Sequence, residues 1–295
     1  MTRFTVVFLT GYSTEQGIDR RQELLRSLDR VRAQRLAAQD SVQQVVVVNG
    51  GQAPELPADV LVVQLPANVG VPAGRNLGWR AGDGDLVVFL DDDGWLPHDD
   101  TFERLDRLFD GDPRLGIVSM RIADPDTGRT QRRHVPRLRA DDPMTGGEVT
   151  TFLGGASAVR RVVLEQTGGL PDDFFFGHEE TDVAWQALDR GWRIRYDPDC
   201  LLNHPTTPPA RHAMYFRLNA RNRVWLARRN LPAPVGVLYV GCWIGLTLAR
   251  VHHLASLRVW FAGLTEGLRT SAGPRRPISW RTVWRMTRLG RPPIV

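Results

Sequence analysis

Leu86-Val87-Val88-Phe89-Leu90 runs straight into Asp91-Asp92-Asp93. A run of five apolar residues rich in Val and Phe reads as a strand buried on both faces. Three adjacent carboxylates repel one another and are costly to bury unless something cationic holds them. In open α/β sheets, ligands bind outside the carboxyl ends of the strands, and the three acids are expected at such an edge. A divalent ion that prefers oxygen ligands, Mg2+ or Mn2+, is one way to hold them. An acidic turn closed by Gly94 is the other. These eight residues alone leave both readings open.

The residues before this junction alternate strand and helix signals. Phe4–Leu9 reads as a strand ending at Thr10-Gly11-Tyr12. Leu24, Leu25, Leu28, Val31 and Leu36 recur at helical spacing between Arg20 and Ala38. Val45–Val48 is a second buried strand ending at Asn49-Gly50-Gly51, and Val60–Val63 a third. Asn68 to Asn76 is a Gly-rich entry into a short helix. This alternation predicts a parallel, doubly wound sheet. A helix near Asp99–Phe109 follows, with Thr101, Asp99 or Asp100 as its cap. Gly116–Met120 reads as a strand, Asp124–Gly128 as a turn within a hairpin, and residues 134–148 as a mobile loop.

Three later stretches carry chemistry. Gly154-Gly155, within Phe152–Ala158, permit close backbone approach to something bulky, or a tight strand-to-helix connection. Phe174-Phe175-Phe176-Gly177-His178-Glu179-Glu180-Thr181-Asp182 puts three aromatics before a dense set of acids at a helix start. Acids in a first turn complement the helix dipole. Behind an aromatic run, partial burial raises a carboxyl pKa toward that of a general base. His204 follows the apolar run Cys200-Leu201-Leu202, where a lone His is more often structural than a ligand.

Taken in order, these pieces resemble an inverting family 2 glycosyltransferase of the GT-A fold, over about residues 4–231. The nearest branch is rhamnosyltransferase-like and bacterial, and shares a segment like Tyr215 to Asn222. The resemblance implies an α/β, mixed and mainly parallel sheet with helices on both faces. It implies that Asp91 and Asp93 form the family's DxD motif and hold Mg2+ or Mn2+ with His204. Thr10, Asn49, Asn68, Gly74, Arg75, Asp91 and Asp92 would bind the nucleotide-sugar, although many members carry Asp where this chain has Asn49. Gly154, Gly155, His178 and Glu179 would face the acceptor or donor sugar. Glu180 falls where the family's catalytic base, usually Asp, is found, and Asp182 is the alternative base. The donor implied is a UDP-, dTDP- or GDP-sugar. The acceptor implied is a glycan, a lipid-linked molecule or a small molecule, as in cell-wall, polysaccharide or natural-product biosynthesis.

The charge is divided between the two ends. Residues 205–295 carry 15 Arg and one acid, Glu266, a net of +14. Residues 1–204 carry 23 basic and 32 acidic residues, a net of −9, and the chain has no Lys. Val235–Ala249 is uncharged but shorter than the ~20 residues that span a bilayer. Trp280 and Trp284 stand among Arg281, Arg285 and Arg288, a mixture suited to a membrane interface. Nucleic acid would explain the charge but not the apolar run, and is not an expected partner. The expected organisation is a catalytic domain over 1–208 and a helical, Arg-rich region over 209–295. Within the first, 1–95 binds the nucleotide-sugar and 96–208 the acceptor. The basic region is read as a peripheral membrane contact, with a buried helix or a homo-oligomer face as alternatives. With two cysteines and no signal-peptide pattern, the expected place is the cytoplasm, on the inner face of a bacterial plasma membrane. The competing functions are nucleotidyl transfer on a related α/β fold and a non-catalytic interaction protein. Against the first, Thr10-Gly11-Tyr12-Ser13-Thr14 lacks a basic phosphate-binding residue.

Overall fold

An eight-stranded mixed sheet in the order β3-β2-β1-β4-β7-β5-β8-β6 forms the centre of the computed structural model. Residues 2–11, 20–138, 142–206, 214–271 and 273–294 are described. Tyr12, Ser13 and Thr14, part of the expected loop 134–148, the 208/209 boundary and Arg211 lie outside them. The strands are β1 (Thr2–Thr10), β2 (Ser41–Asn49), β3 (Leu61–Leu65), β4 (Leu86–Asp91), β5 (Leu115–Ala123), β6 (Gly147–Glu148), β7 (Ala156–Arg160) and β8 (Arg193–Asn203). The first four are mutually parallel where they pair, as the alternating pattern predicts. β7 runs antiparallel between β4 and β5, so the sheet is mixed. Asp124–Gly128 does form a turn, with Asp124 Oδ1 accepting from the backbone of Asp126 and Thr127. It leads into a 3-10 turn at Arg132–His134 rather than a return strand.

Nine helices lie among the described residues. They are α1 (Arg20–Arg32), α2 (Val71–Ala81), α3 (Thr101–Gly111), α4 (Arg161–Thr167), α5 (Glu179–Asp189), α6 (Tyr215–Asn230), α7 (Ala233–Arg250), α8 (Leu254–Arg269) and α9 (Trp280–Arg288). Strand side chains alternate between two cores. Phe4, Phe8, Val46, Val88 and Leu90 face α1 and α3, which bury Leu24, Leu28, Phe102 and Phe109 there. Val7, Val45, Val47, Val87 and Phe89 face the other side. That second core takes Trp79 of α2, Leu164 of α4, Val183 of α5, Trp225 of α6, Tyr239 of α7 and Met286 of α9. Helices beyond residue 214 therefore share a core with the sheet.

Two glycines explain how α2 reaches the sheet. A Cβ on Gly74 would run into Leu9, and one on Gly78 into Val7. Gly74, expected at the nucleotide, is thus also a packing residue that seats α2 on β1. β3 departs from its buried pattern: at the sheet edge, Leu61 and Val62 are exposed.

Candidate functional site

The acid end of β4 is assembled by a contact distant in sequence. Asp91 ends the strand, and the turn closes when Gly94 N donates to Asp91 O at 3.2 Å. Trp95 and Asn203 then exchange two backbone hydrogen bonds of 2.9 Å. This bridge ties the end of β8 to the turn and delivers His204 to the acids. His204 Nε2 lies 2.9 Å from Asp93 Oδ1 and 3.9 Å from Asp91 Oδ2. Its Nδ1 is 2.7 Å from Pro205 O. A carbonyl only accepts, so Nδ1 carries the proton and Nε2 is aimed at the carboxylates.

The electrostatics follow from this crowding. Burial works against a charge on His204, but Asp93 and Asp91 outweigh it and push its pKa up to about 9. Burial likewise opposes ionisation of Asp93, yet the His204 hydrogen bond and charge hold it below the usual range. Asp92 is buried beside Arg20, 3.5 Å away. Burial and the charge of Asp93 push its pKa up to about 6. Thr10, at the end of β1, is buried beside Asp92.

Do these residues suit a divalent ion? Octahedral ligands about 2.1 Å from one ion stand roughly 3 Å apart when adjacent and 4.2 Å when opposite. The separations of 2.9 and 3.9 Å from His204 Nε2 lie in that range. Two carboxylates supply the oxygen ligands that Mn2+ and Mg2+ prefer, and an imidazole with its other nitrogen already bonded is accepted more readily by Mn2+ than by Mg2+. Among the described residues, no group of three or more His, Cys, Asp or Glu side chains is arranged to hold a metal ion without further ligands. Mg2+ commonly completes its shell with water and substrate phosphate oxygens, so an open set is what such an ion requires.

Arg75, buried in α2, links this edge to α5. Its Nη2 donates to Asp91 Oδ1 at 3.0 Å and its Nη1 lies 3.6 Å from Glu179 Oε1. Both glycines of the central pair serve it. A Cβ on Gly154 would stand 2.6 Å from Arg75 Nη1, and one on Gly155 would overlap the Asp91 carboxylate. Asn49 and Asn68 do different work from Arg75. Asn49 Nδ2 donates to Asn68 Oδ1 at 3.0 Å and Gly70 O at 3.2 Å, while its Oδ1 accepts from Val69 N at 2.9 Å. Asn68 Oδ1 also accepts from Gly70 N at 2.9 Å. Only an amide can donate and accept in this way, so Asn49 closes the loop before α2 as an Asp would not.

The start of α5 gathers Glu179, Glu180 and Asp182 in its first turn. His178 has φ 72° and precedes the helix. Glu179 is buried, its Oε2 without a hydrogen-bond partner among the described residues, and Glu180 stands beside it, half-buried. Burial and the neighbouring Glu179 push the Glu180 pKa up to about 8. Asp182 is differently placed. It accepts from Arg229 Nε at 2.8 Å and Nη2 at 3.3 Å, and from Asn230 Nδ2 at 2.6 Å. That carboxylate is committed to α6.

Several supporting residues gave no clear signal in the sequence. Asn222, fully buried, donates Nδ2 to Phe174 O, Phe176 O and Gly177 O, each at 2.9 Å. It thereby clamps the loop that aims Glu179 and Glu180. Asn222 closes the segment noted for its resemblance, but nothing in its spacing reveals this target. Arg20, Arg229 and Asn230 show no pattern that separates them from other polar residues in amphipathic helices.

Residues 18–168 match the family described as Glycosyl transferase family 2. Over 182 residues the chain is 28% identical to the pre-mycofactocin glycosyltransferase of Mycobacterium tuberculosis strain H37Rv, covering 55% of this chain and 37% of that protein. Among solved structures, S. aureus TarS 1-349 in complex with UDP-GlcNAc is similar with TM-score 0.62 at 14% identity, over 96% of this chain and 83% of that one. The mannosyltransferase PcManGT from Pyrobaculum calidifontis, in complex with GDP-Man and Mn2+, gives TM-score 0.54 at 17% identity, over 97% and 84%. The chain spans little more than a third of the mycobacterial relative and half of the longer TarS chain. At these identities the structural likeness speaks for the fold.

Proposed function

The chain belongs to glycosyl transferase family 2, and from that premise we propose that it moves a sugar from a nucleotide-diphosphate sugar to an acceptor hydroxyl, inverting the anomeric centre. The observation that carries this reading is the reach of Arg75, which joins Asp91 to Glu179, the neighbour of Glu180. One guanidinium thus couples a diphosphate edge to a base.

Asp91, Asp93 and His204 would hold a divalent ion, which supplies charge stabilisation for the departing diphosphate. Arg75 adds a fixed positive charge beside Asp91. Glu180 takes the proton of the acceptor hydroxyl as that oxygen attacks the anomeric carbon. Asn49, Asn68 and Thr10 shape the floor on which the nucleoside would lie. The UDP-GlcNAc and GDP-Man of the similar structures, and the Mn2+ of one, support a nucleotide-sugar donor and a divalent ion.

The acceptor fits a surface close to a membrane. α7 is long and apolar enough to cross a bilayer by length and composition, and only 17% of it is buried. Its 18 residues span about 27 Å. Val237 and Leu238 of α7 and Trp280 and Trp284 of α9 are exposed, with Arg281, Arg285 and Arg288 close in sequence. Together these support peripheral membrane contact through 209–295 and a lipid-linked or cell-surface acceptor.

Incubation of the full chain with UDP-, dTDP- and GDP-sugars and Mn2+ or Mg2+ tests the reading. Slow release of free sugar and nucleoside diphosphate is expected. Pyrophosphate release would point to nucleotidyl transfer, and no turnover of any donor would count for a non-catalytic protein. Sedimentation of the same preparation with anionic vesicles checks the membrane contact, which fails if all protein stays in the supernatant at low salt.

A further inference from the structure

Around His178, two residues before Glu180, the fold gathers more hydrogen-bond donors than acceptors. Arg223 of α6 donates Nε to Asn219 Oδ1 and Nη1 to Tyr239 Oη, both at 3.0 Å. Its guanidinium lies 3.2 Å from the centre of the Trp243 ring. No carboxylate pairs with it among the described residues. Arg291, just past α9, has no side-chain hydrogen bond or ion pair among them either. The charged and titratable groups that act most strongly on Arg291 are Tyr239, Arg223, Arg132 and Glu180. Arg132 spends its own donors on backbone carbonyls, including those of Val135 and Arg137. Two further polar atoms, Trp243 Nε1 and His178 Nε2, are shielded from solvent with no partner among the described residues.

The charge balance is one-sided. Burial, with Arg223 and Arg291 adding to it, holds the His178 pKa well below its ordinary value, so His178 is neutral. Glu180 is the one acid named among these groups, and a single carboxylate cannot balance two guanidiniums. Burial holds both Arg223 and Arg291 below the usual arginine range. Two partly buried guanidiniums with at most one counter-ion leave an excess of positive charge, which a bound anion relieves.

We propose that Arg223 and Arg291, with Trp243 Nε1 and His178, form an acceptor subsite for a phosphate-type anion attached to the acceptor near its reacting hydroxyl. This rests on the assignment of Glu180 as the base. A phosphate ester or diphosphate fits better than a carboxylate for two reasons. The donors come from four separate elements: the start of α5, α6, α7 and the segment after α9. A carboxylate is planar and is satisfied by one bidentate arginine, whereas a phosphate offers three or more oxygens to donors from several directions. α7 contributes Tyr239 and Trp243 to this site and exposes Val237 and Leu238, so a lipid-borne phosphate could reach it as well as a soluble one.

Inorganic pyrophosphate, titrated calorimetrically into the full chain in EDTA, tests the site without the metal-dependent edge. Saturable binding is expected. Arg291→Gln and Arg223→Gln should each weaken it about tenfold or more, since each removes a charge-assisted donor. Arg291→Lys should keep most of the affinity, which separates loss of charge from loss of fold. Arg107→Gln, at an exposed arginine of α3, should bind like wild type. Absence of saturable binding, wild-type affinity in Arg291→Gln, or an equal loss in Arg107→Gln would overturn the proposal. Vesicles carrying a long-chain alkyl phosphate, compared with neutral vesicles, identify the source. Capture that Arg291→Gln abolishes assigns a lipid phosphate, and pyrophosphate binding without capture assigns a soluble one. Donor hydrolysis by the wild type is read in parallel. Anion binding with no hydrolysis leaves this site standing and removes the glycosyl-transfer reading. Hydrolysis with no anion binding does the reverse.

Discussion

Glu180→Gln lowers sugar transfer by about a hundred- to ten-thousand-fold, the range a positioned general base supplies, and leaves donor binding largely intact. Gln keeps the size of the side chain but cannot accept the hydroxyl proton. The metal edge and Arg75 are untouched by the change, so donor affinity is the control. The pH profile follows from the raised pKa of Glu180. The base works only when ionised, so transfer rises with pH through about 8. The same shift has a sign for stability. Between the ordinary value of 4.5 and about 8, the native state holds a proton that the unfolded chain has released. The stability Glu180 contributes is therefore fully present below 4.5 and lost as pH rises through 8. Gln removes that loss, so the variant should melt higher than wild type at pH 9. Full activity in Glu180→Gln would reject Glu180 as the base, whatever its effect on melting.

Asp182→Ala destabilises the fold by about 3–5 kcal/mol, because removing one partner strands a buried charge. Arg229 and Asp182 are both buried, and Asn230 completes the pair. The loss falls where α5 meets α6, so thermal unfolding should shift by many degrees. Asp182→Asn keeps the shape and should retain more stability than Ala. If Asp182 were instead the base, Asp182→Asn would abolish transfer with little change in melting.

The junction at Leu86–Asp93 was legible because an apolar run and its charged end leave few alternatives. β1, β2 and β4 were readable for the same reason, since each buries both faces. β3 shows where that stops. Leu61 and Val62 have the composition of a buried strand, yet only the sheet order reveals that they lie on an edge. The place of His204 depends on the Trp95–Asn203 bridge, a long-range pairing that no local pattern encodes. Glu180 and Asp182 look alike in the sequence. What separates them is Arg229 and Asn230 on α6, more than 40 residues later. Gly154 and Gly155 announced a close approach, but not that the bulky neighbours are Arg75 and Asp91.

The most direct test of the account is calorimetric titration of UDP, dTDP and GDP into wild type and Asp93→Ala, with Mn2+ and with EDTA. Wild type should bind one of them in a Mn2+-dependent manner. Asp93→Ala should lose that dependence, because it removes the carboxylate hydrogen-bonded to His204 at the strand edge. Binding of equal strength in both proteins, or binding indifferent to Mn2+ in the wild type, would contradict the assignment of Asp91, Asp93 and His204 as the diphosphate anchor.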